Sequence, residues 1–182
     1  GGRSGPGPGG TVVAQRTAGT DEAPACQLLL YPTVDHHGAY PSKELFARGF
    51  FLTRETIAWF HEQYIATVGA ARDDVRHTPL AATDLSNQPP ALIVTAGFDP
   101  LRDEAEAYAE ALRRHGSVAV VRRFESLLHG FANMTGVSRS AAEAMIEISG
   151  MLRGMLGMEG QAENSIAASS TRAYRNSTRS SA

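Results

Sequence analysis

The stretch that decides the fold is QPPALIVTAGFDPLRDEAEAYAEALRRHG, residues 88–116. Ala91–Phe98 is nearly unbroken apolar sequence, the pattern of a strand covered on both faces of a parallel sheet. From Asp103 to His115 the spacing changes, with Ala105, Tyr108, Ala109 and Leu112 recurring at helical intervals. Gly116 follows, a residue suited to closing a helix in the left-handed conformation. A buried strand followed at once by an amphipathic helix predicts one strand–helix unit of an α/β sheet.

Two further apolar runs extend this reading. Ala25–Pro32 (ACQLLLYP) is a second continuous run, and Val118–Glu125 (VAVVRRFE) is a third, rich in β-branched residues. Helical spacing appears in Arg54–Val68 through Ile57, Phe60, Tyr64 and Val68. It appears again in Ser138–Leu156 through Ala141, Met145, Ile148, Met151, Leu152 and Met155. Thr11–Gln15 can start another helix. The alternation predicts an open, mostly parallel α/β sheet of about three strands flanked by helices, with no internal repeat.

The ends differ in composition. Residues 1–10 are mostly Gly and Pro, and 158–182 are mostly Ser, Thr, Ala, Arg and Asn without apolar periodicity. These divide the chain into an irregular leader (1–10), an α/β domain (11–157) and a tail read as disordered (158–182). Hydrophobic residues make up 42% of the 182 and charged residues 20%, which fits a globular chain. A net charge of −2 offers no basic surface for nucleic acid or an anionic membrane. No run reaches membrane-spanning length and no signal-peptide pattern is present, so the expected location is the cytoplasm. The lone cysteine, Cys26, lies in an apolar run and reads as a small buried hydrophobe.

In open α/β sheets, chemistry gathers beyond the carboxyl ends of the strands. Asp99 follows the second run directly, and His129 follows the third after Ser126-Leu127-Leu128. A carboxylate and an imidazole at neighbouring strand ends can form an acid–base couple, the carboxylate orienting the ring. Asp99 before Pro100 reads equally as a helix N-cap, and His129 before Gly130 as an ordinary loop histidine. Asp103 and Glu104 read as first-turn acids favoured by the helix dipole. Adjacent His36 and His37 form a weak metal pair, and His61, His77 and His115 read as solvated.

Residues 88–116, followed by FESLLHGF (124–131), resemble the C-terminal half of the hormone-sensitive-lipase-like α/β-hydrolase esterases. LLLYPTVD (28–35) and LTRETIAWFHEQYI (52–65) are similar to the same family, so the likeness runs from about Thr11 to Leu156. The resemblance implies serine carboxylester hydrolysis of small-molecule esters without metal or organic cofactor. It assigns Asp99 as the triad acid and His129 as the base. The family's nucleophile turn, G-D-S-A-G-G, aligns Ser4 with the nucleophile, and Gly2 also matches. Arg3 replaces the motif's Asp, Pro6 replaces its closing Gly, and Pro8 falls where the next helix runs. No H-G-G-G oxyanion loop is present in the sequence. The expectation is the C-terminal portion of an esterase, weakly active or inactive alone. Two alternatives stand: a noncatalytic binding or assembly module, self-pairing through an open sheet edge, and half of a split esterase complemented by an N-terminal half. Phe50, Phe51, Trp59 and Phe60 are expected in the core rather than in an acyl pocket.

Overall fold

The computed structural model describes residues 9–68 and 74–157. Three parallel strands, β1 (Gln27–Leu30), β2 (Ala91–Phe98) and β3 (Ala119–Leu128), lie side by side in the order β1-β2-β3. Register runs Gln27↔Ala91 through Leu30↔Val94 on one side of β2, and Ala91↔Ala119 through Ala96↔Phe124 on the other. The helices are α1 (Gly9–Thr17), α2 (Pro41–Leu45), α3 (Arg54–Val68) and α4 (Arg102–Arg114), followed by α5 over 139–157.

The apolar run of β2 is continuous because both of its faces are covered. Ala91 and Ile93 point into one core with Ala105, Tyr108, Ala109 and Leu112 of α4. Leu92, Val94 and Ala96 point into the other, with Leu127, Phe131, and Ala141, Ala144 and Ile148 of α5. Each large aliphatic side chain buried this way contributes on the order of 1.5–3 kcal/mol. The result is a three-layer sandwich with α4 on one face and α5 on the other. Gly116, at φ 81°, ends α4, and Ser117 N–H returns to the Leu112 carbonyl at 3.0 Å.

The sequence places α3 at its observed bounds, and α4 and α5 within a residue of theirs. β3 differs, because it runs on through Ser126, Leu127 and Leu128 and His129 follows it without a gap. The extension rests on a bulge: β2 advances from Ala96 to Phe98 while β3 advances from Phe124 to Leu128. Short α2 and the 3-10 turns at Pro79–Ala81 and Phe131–Asn133 carried no legible periodicity. Gly9 and Gly10 open α1, so the helix reaches back into the stretch read as an irregular leader. The remainder of that leader, and the tail over 158–182, lie outside the described residues. No described helix is long and apolar enough to cross a membrane.

Candidate active site

Asp99 leaves β2 at the carboxyl edge of the sheet and is fully buried. Its two carboxylate oxygens have separate duties. Oδ1 accepts the Leu101 N–H at 2.8 Å, closing the turn that leads into α4. Oδ2 lies 2.8 Å from Nδ1 of His129, across the seam between β2 and β3. The helix-start and acid–base readings of Asp99 are therefore compatible, although α4 begins at Arg102 and its N-cap is Leu101. An ionised Asp99 accepts the Nδ1 proton, which leaves Nε2 of His129 as the basic nitrogen.

His129 is followed by a constrained turn. Gly130 adopts φ 78°, and an added Cβ there would lie 3.2 Å from the Phe51 ring. A side chain at 130 would thus meet both backbone strain and Phe51. Phe131 is buried and anchors the turn after the histidine. Tyr31 stands against His129, with its ring centroid 4.5 Å from that of His129 and 5.6 Å from that of Phe131. Tyr31 takes φ 38°, a conformation that costs a non-glycine residue on the order of 1–3 kcal/mol. Its N–H donates to Val94 O at 2.7 Å, and its phenol is hydrogen-bonded to the Ala132 backbone. Burial pushes the phenol above its ordinary range; the Ala132 bond opposes this and the Asp99 charge adds to it. Nothing in the sequence pattern singled out Tyr31.

Asp103 and Glu104 do more than favour a helix dipole. Glu104 is fully buried, accepts the N–H groups of Val34 and Asp35 at 2.8 and 3.2 Å, and pairs with Lys43 at 2.8 Å. Burial pushes its carboxyl upward, against the pull of the Lys43 ammonium. Asp103 accepts Ser42 N–H at 2.8 Å, while Ser42 Oγ accepts Asp103 N–H at 3.2 Å and donates to Pro100 O at 2.9 Å. The segment between β1 and α2 is thereby fastened to the turn that carries Asp99. The sequence signal for this was the chain's single lysine, paired at long range with an acid in a helix whose apolar face points inward.

Other expectations are corrected. His77 is fully buried with its ring edge-on to Tyr64 at 4.8 Å, and His61 stacks on His36 at 4.1 Å, so neither is simply solvated. Burial, with further lowering by neighbouring His61 and Lys43, holds the His36 imidazole down at about 4. Among the described residues no three His, Cys, Asp or Glu side chains converge to hold a metal ion. Phe51, Trp59 and Phe60 are 68%, 55% and 43% exposed, so they are not core. The reason is that α3 presents no fully buried side chain among its described residues, whereas α4 and α5 cover the sheet. Phe50 stacks on Phe98, with Phe46 edge-on to both, forming an aromatic cluster beside Asp99. Ser4 lies outside the described residues.

A family profile for the alpha/beta hydrolase fold matches residues 4–133, a span that contains both Asp99 and His129. The chain belongs to this family. Among curated relatives, carboxylic ester hydrolase LipN of Mycobacterium tuberculosis is 44% identical over 133 residues, covering 73% of this chain and 35% of the relative. The ethyl acetate hydrolase of Pseudomonas putida is 34% identical over 140 residues, covering 76% of this chain and 44% of that protein. Among solved structures, LAE6, an alpha/beta hydrolase enzyme from the metagenome of Lake Arreo, Spain, superposes with a TM-score of 0.72 at 36% identity. That match covers 82% of this chain and 46% of LAE6. The chain thus spans less than half the length of these relatives, and its esterase kinship is carried by the part built around β1, β2 and β3.

Proposed function

We propose that this chain carries the acid–base part of a serine carboxylester hydrolase, with Asp99 as acid, His129 as base and Ser4 as nucleophile. The observation that carries the reading is the 2.8 Å contact between buried Asp99 and His129 at adjacent strand ends, in a chain related to ester hydrolases. In this scheme Nε2 of His129 takes the hydroxyl proton as the serine oxygen attacks the ester carbonyl. The tetrahedral intermediate collapses, the C–O bond to the alcohol breaks, and His129 returns the proton to the leaving alcohol. Water, deprotonated by the same nitrogen, then releases the carboxylic acid and restores the serine. Asp99 stays ionised throughout, holding the ring and stabilising its charged form.

Support for Ser4 comes from chain order and from register against α1. A fluorophosphonate probe mapped by mass spectrometry tests it, together with hydrolysis of p-nitrophenyl butyrate. Turnover by the chain alone is expected to be weak or absent, and any labelling or turnover that does occur is expected to depend on Ser4 and to be lost in His129→Gln. Turnover that survives His129→Gln, or an adduct on another serine, refutes the assignment.

One observation favours a second reading, half of a split esterase. Among the described residues β1 pairs with β2 alone, leaving its other edge free for a further parallel strand. Adding a separately produced N-terminal half of a relative such as LipN is then expected to raise ester turnover above that of either part. Turnover equal to the sum of the parts refutes it.

A further inference from the structure

We propose that Tyr31 is a positioning residue for His129: its ring forms the wall that keeps the imidazole turned toward Asp99. This rests on the reading of His129 as the base, and adds to it a third strand end, that of β1.

The argument starts from the backbone. Tyr31 sits at φ 38°, where a side chain is disfavoured, and it precedes Pro32, which narrows its options further. Such a conformation persists only where the surroundings over-determine it. Here three contacts do so, and two of them act on the turn that carries His129. The Tyr31 N–H is pinned to Val94 O at 2.7 Å, so the residue cannot rotate away from the sheet. Its ring meets His129 at 4.5 Å with an interplanar angle of 56°, and meets buried Phe131 edge-on. Its hydroxyl reaches the Ala132 backbone. One side chain thus spans residues 129 to 132, the turn that opens with left-handed Gly130.

The imidazole needs such a wall. A single hydrogen bond at Nδ1 fixes distance but leaves the ring free to swing about that bond. The Tyr31 ring removes this freedom on one side, while Oδ2 of Asp99 holds Nδ1. A glycine at 31 would relieve the backbone and lose the wall, so the strained tyrosine is intelligible as a positional requirement rather than as filler.

NMR on the full 19.4 kDa chain tests this without requiring turnover. In the wild type, Overhauser contacts between the Tyr31 and His129 ring protons are expected, with a low-field Nδ1–H resonance protected from exchange. Asp99→Ala should abolish that resonance. Tyr31→Leu should broaden it or lose it with the fold intact by circular dichroism, and Tyr31→Phe should keep it. In any preparation that turns over esters, Tyr31→Leu should lower kcat roughly ten- to a hundredfold with little change in KM, and Tyr31→Phe should restore it.

Absence of the ring–ring contacts in the wild type overturns the proposal, even if Tyr31→Leu does not fold. So does a folded Tyr31→Leu whose low-field resonance matches the wild type, or loss of that resonance in Tyr31→Phe. A wild type with no protected Nδ1–H at all overturns the Asp99–His129 couple itself, and this proposal with it. That outcome is distinct from a couple that persists without the tyrosine.

Discussion

Gly97→Ala is the substitution through which the fold and the site can be perturbed together. Gly97 lies inside the bulge between β2 and β3, and a Cβ there would lie 2.0 Å from Glu125 O, 2.6 Å from its carbonyl carbon and 2.7 Å from its Cα. Real Cβ contacts stay at or beyond 3.0 Å, and all three atoms are backbone of the neighbouring strand rather than the end of a flexible side chain. The strands must therefore part by about 1 Å, an overpacking cost near the upper end of the usual range, about 2–3 kcal/mol. The same displacement acts on the couple, whose Asp99 follows two residues later, just past the end of β2. Opening the 2.8 Å Asp99–His129 contact by that distance takes it out of hydrogen-bond range. Equilibrium urea unfolding measures the first effect, and the low-field Nδ1–H resonance of His129 measures the second. Gly136→Ala, where an added Cβ meets nothing within 4 Å among the described residues, serves as the control. A Gly97→Ala protein with the control's stability and an intact Nδ1–H resonance would refute the claim that the bulge sets the site.

Three further outcomes are expected. Gly150 lies within α5 with open space around it, so Gly150→Ala should stabilise the chain by about 0.5–1 kcal/mol, read as a higher urea midpoint. Lys43→Met leaves the buried Glu104 carboxylate without its counter-ion and should cost about 3 kcal/mol in the same assay, part of which Lys43→Met/Glu104→Gln should recover. Unfolded His36 takes up a proton near pH 6.5, whereas the folded ring resists until about 4, so the unfolded chain binds more protons in that window. Stability contributed by His36 is thus complete above pH 6.5 and falls on acidification toward pH 4, by about 2 kcal/mol after solvent screening. Urea midpoints at pH 7 and 4.5 should differ less in His36→Gln than in the wild type.

The parts of the fold legible in sequence are those where one physical pattern dominates. Ala91–Phe98 reads as a strand because it is covered on both faces, and α4 reads as a helix because only one of its faces meets the sheet. The meeting of the candidate site's two polar residues is legible for a related reason: Asp99 and His129 stand at the carboxyl ends of adjacent strands. The rest depends on contacts between distant segments. β3 extends to Leu128 because Gly97 lets a bulge form opposite it, which no local spacing in β3 reveals. Glu104 reads as an ordinary first-turn acid until Val34, Asp35 and Lys43 are brought to it by the loop after β1. Tyr31 reads as the last apolar residue of a strand until its ring is found against His129. The aromatic residues of α3 were misplaced because helical spacing predicts a buried face only when another element lies against it.

The Lys43–Glu104 pair has a practical consequence. Lys43 is the only lysine in the chain, and its side chain is 20% exposed, with the amine held by Glu104 and by the carbonyls of Asp35 and Gly38. Only one side-chain amine is therefore offered to acylating reagents, and it is expected to react faster when α2 and the segment before it lift from α4. A pulse of amine-reactive reagent, followed by mass analysis of the peptide bearing residue 43, becomes a built-in clock for that opening, with no engineered label. Since Ser42, the residue before Lys43, is bonded to Asp103 and to Pro100 O, the clock also reports on the turn that carries Asp99.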